Sequence, residues 1–388
     1  MSATNGTVLH FIDTIGPGGA ETIFLQVAHG LAKRGWQSRT VVVGPGWVLD
    51  SVHSLGLPVD LVPTSGRLDV PYLLRLRDVV RRHGVRLIHA HLFSPAVYAS
   101  AIGAWTGTPV VATFHGASDI MDGGLTTRLR YRLIDRRADV VCVSEALRTE
   151  LAALDVIRSS RVHVIYNGTD PAAFEQASGE RIRREIGLPA DAILIGALGN
   201  MRPAKDFPML LRAAALLASD RRLFFAIAGE AAEPLCTELR QLAQQLGIAD
   251  RVAVLGFRTD VPDVLSAFDI LAISSSTEGF SLAAIQAMAA GVPVVATRSG
   301  GPEEIVTDGV DGLLVPARNP EALAAGIRRI INDHELRGRL VTQARQTLHR
   351  RFSLDIMLDK YEALYRDILH ARGLSSVVSS VPVAAATS

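Results

Sequence analysis

Short apolar runs alternate with amphipathic helical stretches along nearly the whole chain, and the alternation starts twice. Thr7 to Ile12 reads as a buried strand, Ala20 to Arg34 has helical spacing through Ile23, Val27 and Leu31, and Arg39 to Val43 reads as a second strand. Further strands are predicted at Leu87 to Ala90, Val110 to Thr113, Val140 to Val143 and Val162 to Tyr166, with helices at Leu73 to His83 and Thr127 to Arg137. After the polar stretch Asp170 to Arg184 the pattern resumes, with strands at Ala192 to Leu198, Leu223 to Ala228, Val252 to Leu255, Ile270 to Ile273, Val294 to Thr297 and Gly312 to Val315. Such alternation builds a parallel sheet with helices on both faces. At 388 residues the chain also exceeds the roughly 250–300 residues at which a single core stops growing. Two α/β domains in series, 1–172 and 188–352, are therefore predicted to face each other across a cleft. Ligands of such sheets bind beyond the carboxyl ends of the strands.

Composition narrows the classes. Hydrophobic residues make up 48% and charged residues 20%, a globular profile, and the net charge of +1 gives no general attraction to nucleic acid. Cys142 and Cys236 are far apart and support neither a disulfide framework nor a zinc site, which fits a reducing cytoplasm. No run approaches the roughly 18 apolar residues of a membrane span, and the N-terminus lacks a signal-peptide pattern. The stretch 373–388 is small and weakly polar and is expected to be disordered.

Three loops carry the chemistry. The first, Gly16-Pro17-Gly18-Gly19-Ala20-Glu21, follows the first strand. It is a poor dinucleotide fingerprint, because the spacing is wrong and the second strand ends Val43-Gly44-Pro45 without a ribose-binding acid. Glycines here suit close approach of a phosphate or sugar, or simply a tight turn. The second loop, Gly199-Asn200-Met201-Arg202-Pro203-Ala204-Lys205-Asp206, sits at the matching place in the second domain and brings two cations, Arg202 and Lys205, ahead of a helix. The third, Ser274 to Gln286, runs from a strand into an Ala-rich helix and puts Glu278, Gly279 and Ser281 at the helix start. Helix starts hold anions through unpaired N–H groups and the dipole. A carboxylate beside that site suits a ligand with hydroxyls next to phosphates. The competing reading is structural: Glu278 offsets the dipole and Ser281 caps the helix.

Taken together these pieces resemble the retaining GT-B glycosyltransferases of family 4. The matching segments include Gly18-Gly19-Ala20-Glu21, His89-Ala90-His91, Thr113-Phe114-His115-Gly116, Val143-Ser144-Glu145 and Ile165-Tyr166-Asn167-Gly168. They continue with Gly199-Asn200-Met201-Arg202-Pro203-Ala204-Lys205, Ser276-Thr277-Glu278-Gly279-Phe280 and Gly300-Gly301-Pro302-Glu303. The resemblance implies an acceptor-binding first domain, a donor-binding second domain, and a C-terminal helix (355–372) that packs back on the first. It implies that Lys205 and Arg202, with the backbone N–H groups of Phe280, Ser281 and Leu282 beside Gly279, grip a donor diphosphate. Glu278 would bind donor-sugar hydroxyls, His115 would lie against that sugar, and Gly18 and Gly19 would let the first loop close on the phosphates.

Two positions depart from the family pattern. Its second glutamate, eight residues after the first, is Gln286 here, and its first cation is Asn200. A neutral amide makes hydrogen bonds of ~0.5–1.5 kcal/mol against ~1.5–3 for a charged acceptor, so weaker nucleotide binding is expected. Asp-x-Asp occurs nowhere, and with Arg202, Lys205 and the helix dipole available neither a metal nor another cofactor is expected. No Ser/His/Asp or Cys/His triad is readable. The family most often uses UDP and then GDP, with acceptors in surface polysaccharide or lipid-linked oligosaccharide. Two rivals stand beside this reading: a nucleotide-sugar epimerase or hydrolase of the same fold, and a non-catalytic nucleotide-sugar-binding protein.

The stretch Arg67 to Arg137 holds 11 arginines against 5 acids, a net of +6. Solvated helix faces account for such a zone. The alternative is peripheral contact with an anionic membrane, at ~1 kcal/mol per cation, at the inner face of the plasma membrane. His89 and His91, two apart at a strand end, are expected in the core or cleft wall and not on a metal.

Overall fold

The computed structural model describes residues 6–65, 69–121, 123–230 and 233–374; the tail expected to be disordered lies, from residue 375 on, outside them, as do Arg67 and Asp122. Thirteen strands occur among the described residues. The first seven are β1 (Thr7–Phe11), β2 (Gln37–Val42), β3 (Val59–Leu61), β4 (Leu87–His91), β5 (Val110–Phe114), β6 (Ala138–Cys142) and β7 (Val162–Val164). They form one parallel sheet in the order β3-β2-β1-β4-β5-β6-β7. The remaining six are β8 (Ile193–Leu198), β9 (Leu223–Ala228), β10 (Val252–Gly256), β11 (Ile270–Ile273), β12 (Val294–Arg298) and β13 (Leu313–Pro316), in a parallel sheet of order β10-β9-β8-β11-β12-β13. Strands β1, β4, β5 and β11 are buried along their full length, which is why they read as continuous apolar runs and not as alternating ones.

Strand order reverses between β1 and β4 in one sheet and between β8 and β11 in the other. The glycine loop leaves β1, the Asn200–Lys205 loop leaves β8 and the Glu278 loop leaves β11. All three loops thus emerge at topological switch points, where crossovers diverge and open a crevice.

Four features escaped the hydrophobic pattern. The three-residue edge strand β3 and the helix Trp47–Ser54 are too short for a period to show. The helix predicted from Leu73 begins at Val70, because the Asp69 side chain accepts the N–H of Tyr72 at 2.8 Å and Pro71 stands in the first turn. The stretch read as a polar linker contains the helix Glu180–Glu185. Its Arg183 pairs with Asp269 at the entrance to β11, and its Arg181 pairs with Asp260.

The chain crosses back to the first lobe through a π-helical turn, Leu348–Phe352, and ends in the helix Leu354–Ala371. Thr169 pairs with this crossing: its N–H donates to Phe352 O at 3.0 Å, and it accepts from Leu354 N at 2.9 Å. The final helix buries Met357, Leu358, Tyr361 and Tyr365 against Val8, Val27 and Trp36 of the first lobe. Arg34 pairs with Asp355 and Asp359, and Trp36 Nε1 donates to Glu362 at 2.8 Å.

Candidate active site

The lobes touch at several points around the cleft. Asn200 Nδ2 donates to Pro17 O at 2.9 Å, and Asn200 Oδ1 accepts from Glu230 N–H at 3.1 Å. Glu304 accepts from the N–H groups of Glu145 and Ala146 at 2.7 and 2.6 Å. These N–H groups open the helix Glu145–Ala153, so a carboxylate of one lobe sits on a helix dipole of the other. Trp47 and Phe257 meet edge to face with centroids 6.1 Å apart at another point of contact.

Between these contacts lies a cavity of about 1260 Å³ lined by both lobes. That exceeds the ~300–1,000 Å³ of a typical small-molecule site. Gly18 and Gly19 line it from the first lobe; Asn200, Arg202, Lys205, Glu278, Phe280, Leu282 and Gln286 line it from the second, and His115 stands between.

Lys205 Nζ lies 2.8 and 2.9 Å from the two oxygens of Glu278, and Ser275 Oγ donates to Glu278 Oε2 at 2.7 Å. Local backbone pairing explains the meeting. Ser276 N–H donates to Ala204 O at 2.8 Å and Ser274 Oγ to Lys205 O at 2.8 Å, so the loops after β8 and β11 are laced together. Gly199 makes room: its φ of +153° is open to glycine alone, and a β-carbon there would stand 2.9 Å from Lys205 Cε. Arg202 is exposed, and no ion pair holds it among the described residues.

The helix Leu282–Ala290 begins beside this pair. Ser281 does not cap it: its hydroxyl is buried and meets no partner among the described residues. The backbone N–H groups of Phe280, Ser281 and Leu282 have no acceptor among the described residues either. The ring of Phe280 turns away, buried between Tyr166 and Phe352 at the crossing, with centroids 6.0 and 5.9 Å away. Its backbone alone therefore faces the cleft. Gly279 lies against the other lobe, where a β-carbon would stand 2.8 Å from Gly116 Cα and 3.0 Å from His115 O. Gln286, one turn after Leu282, faces the same way and lines the cavity.

His115 follows β5, and burial pushes its imidazole down to about 3, so it is neutral at physiological pH. Its Nε2 bonds His91 Nδ1 at 3.0 Å, and its backbone N–H donates to Asp119 Oδ2 at 2.7 Å. Asp119 is buried, and desolvation raises it to about 6 although backbone N–H groups pull the other way. The sequence reading assigned no role to Asp119, Ser275 or Glu304. Only Asp119 carried a signal, as an acid four residues beyond His115 in a loop.

His89 and His91 lie in the core, in register with His10 of β1 and Thr113 of β5. One nitrogen from each of His10, His89 and His91 falls within 4.8 Å of the others. Both nitrogens of His89 are engaged, by Thr113 at 2.7 Å and Tyr365 at 2.5 Å. That leaves the nitrogens of His10 and His91 Nε2 unpartnered among the described residues, and two residues are short of the three or four protein ligands usual for zinc.

Comparison with known proteins agrees with this architecture. The sequence profile of Glycosyl transferases group 1 matches residues 178–347, and that of Glycosyltransferase Family 4 matches residues 17–173. A D-inositol 3-phosphate glycosyltransferase of Acidothermus cellulolyticus is 31% identical over 86% of this chain and 77% of its own length. An N-acetyl-alpha-D-glucosaminyl L-malate synthase of Bacillus anthracis is 26% identical over 91% of this chain and 94% of its own. The structure of Anabaena HepE in complex with UDP and glucose superposes with a TM-score of 0.84 at 23% identity, covering 93% of this chain and 100% of that one. The chain belongs to the group 1 glycosyltransferases of family 4 and is a glycosyltransferase of the GT-B fold.

Proposed function

We propose that the cleft binds a nucleotide diphosphate sugar against the second lobe and transfers the sugar, with retention of configuration and without a metal, to a hydroxyl acceptor held by the first lobe. The observation that carries this reading is the convergence of Lys205, exposed Arg202 and the unpaired N–H groups of Phe280–Leu282 on one side of the cavity. Departure of a diphosphate concentrates negative charge there, and fixed donors stabilise charge that develops in the transition state. Lys205 Nζ bonds both oxygens of Glu278. On binding, the phosphate takes over part of the lysine's hydrogen bonding, and Glu278 is released toward sugar hydroxyls. His115, neutral and half-buried in the cavity wall, approaches the sugar from the opposite lobe. HepE, described with UDP and glucose, supports UDP as the first nucleotide to try.

A thermal-shift screen of UDP, GDP, ADP and CDP identifies the nucleotide. Donor turnover with and without acceptor, in the presence of chelator, then tests the reaction. Transfer that survives chelator and gives a product of unchanged anomeric configuration is expected. Hydrolysis or epimerisation without acceptor would support the first rival, and nucleotide binding without turnover the second. Asn200 adds a specific point: its amide ties the β8 loop to Pro17, so the position of the family's cation here serves lobe contact.

We also propose that the outer face of the first lobe docks on an anionic membrane. The helices Val70–Arg82, Phe93–Thr106 and Leu125–Arg137 lie side by side and expose Val70, Leu74, Trp105, Leu125 and Leu129 among their arginines. Basic faces with exposed large apolar side chains suit the lipid interface. None of the helices is long and apolar enough to cross a membrane among the described residues. Equal sedimentation with anionic and neutral vesicles at low salt would remove this part of the reading.

A further inference from the structure

Asn167 lies beyond β7, where the chain leaves the first lobe. It is only 5% exposed. An Asn-Gly pair usually marks a turn, with the asparagine side chain bonding a backbone group just beyond it. Here the following N–H groups have other partners. Gly168 N–H donates to Met357 Sδ at 3.2 Å, and Thr169 N–H donates to Phe352 O at 3.0 Å. The glycine is explained by close approach, since a β-carbon at Gly168 would stand 2.6 Å from Ser353 O. The returning segment therefore holds this turn, and the Asn167 side chain is not needed to shape it.

The amide of Asn167 makes no hydrogen bond among the described residues, yet the residue lines the cavity. One end of the amide is sealed from solvent, and it is Oδ1; Nδ2 is the open end. That orientation is the cheaper one. Turning the amide over would seal two N–H donors without a partner, and an orphaned buried donor is rarer and costlier than an orphaned carbonyl. The open end pays no such penalty in either orientation.

Neighbours fix what Nδ2 faces. Tyr166, one residue before, stacks on Phe280 with the ring planes 29° apart. Leu282 packs against the cluster that contains Met357, the acceptor of the Gly168 N–H. Asn167 is thus bracketed by contacts to Phe280 and Leu282, whose N–H groups open the helix Leu282–Ala290. The hydroxyl of Ser281, between those two, is buried and equally without a partner among the described residues. Unpaired backbone donors, a buried hydroxyl and an unsatisfied amide together match an anion that carries several acceptor oxygens.

We propose that Asn167 is a further donor-binding residue, whose side-chain N–H group donates from the first lobe to the diphosphate at the start of the helix Leu282–Ala290. The inference rests on the reading that the diphosphate lies at this helix start. The diphosphate is then held from both lobes, at the place where the chain passes between them.

Calorimetric titration of UDP, GDP, ADP and CDP into the full chain finds the diphosphate bound best, and its affinity is then compared among variants. Asn167→Ala should weaken it about 10- to 100-fold, the worth of one hydrogen bond to a charged group. Asn167→Asp keeps the size and the turn chemistry but sets a carboxylate against the phosphates, so it should bind no better than Asn167→Ala. A side chain that only shaped the turn would be rescued by Asn167→Asp. Wild-type affinity in Asn167→Ala, or recovery in Asn167→Asp, would overturn the proposal. So would unchanged diphosphate affinity with slower sugar transfer, which would move the contact to the sugar. If Asn167→Ala does not fold, Asn167→Asp decides. The underlying reading fails separately: wild-type diphosphate affinity in both Arg202→Ala and Lys205→Ala would place the diphosphate elsewhere, whatever Asn167 does.

Discussion

Lys205→Ala is the most direct test of the cleft chemistry, because the structure allows its two consequences to be separated. The first is structural. The Lys205 and Glu278 side chains are 23% and 10% exposed, between a surface pair worth ~0–1 kcal/mol and a buried pair whose breaking costs ~3–5 kcal/mol. A loss of about 1–3 kcal/mol is expected, softened because Ser275 still donates to Glu278. The second is catalytic. Removing one fixed donor to developing negative charge typically costs ~2.7–4 kcal/mol, or about 100- to 1,000-fold in kcat. The double variant Lys205→Ala/Glu278→Gln resolves the two effects. It should recover part of the lost stability, since no carboxylate is left unpaired, and none of the lost turnover. Denaturant unfolding and release of nucleoside diphosphate are the two readouts. A folded Lys205→Ala protein within about fivefold of wild-type kcat would refute the assignment of Lys205 to the leaving group. A loss confined to KM would reduce its role to ground-state binding.

Other perturbations have equally definite signs. Gly279→Ala forces a β-carbon against the backbone of Gly116 and His115, which cannot yield as a side chain would; turnover should fall by more than tenfold and solution scattering should show a larger radius, whereas an unchanged radius and rate would mean that the lobes do not close at this point. Asp119 is raised by burial to about 6, above its unfolded value near 3.8, so the folded state takes up a proton between these pH values and Asp119's contribution to stability falls as pH rises through about 6. Activity should run the other way: protonation below about pH 6 takes the charge from the acceptor of the His115 N–H and weakens that bond, giving an acid limb that Asp119→Asn abolishes, and a limb that persists in the variant would belong to another group. Gln286→Glu should tighten nucleotide binding about 3- to 10-fold if this residue meets the ribose, the gain expected when a neutral acceptor becomes a charged one, and unchanged or weaker affinity would undo that placement.

Periodicity was enough to read most of the architecture. Runs such as Val110–Phe114 and Ile270–Ile273 are buried at every position because they lie inside a sheet covered on both faces, and a strand with one face in water would alternate instead. The ends of these strands then placed the glycine loop, the Arg202–Lys205 loop and the Glu278 loop on one side of their sheets. The residues that escaped are those whose partners are distant in the chain. Glu304 takes two N–H groups from a helix more than 150 residues earlier, and Asp119 acts on the backbone of Phe93. Glu304 does not differ in local pattern from a solvated acid, and the place of Asp119 four residues beyond His115 does not reveal its bond to Phe93.

The amino-acid order by itself determined two parallel-sheet lobes, their order, and the kinds of group at their strand ends, because hydrophobic period and turn chemistry are local properties. Tertiary structure decided which groups meet: Lys205 with Glu278, Asn200 with Pro17, Gly279 with Gly116, and His91 with His115. The first and last of these depend on which strands lie side by side within one sheet; the other two depend on how one lobe is carried against the other by the crossing at Thr169 and Ser353. A hydrogen bond requires its atoms to lie within about 3 Å of each other, and no periodicity along a chain encodes a distance between two sheets.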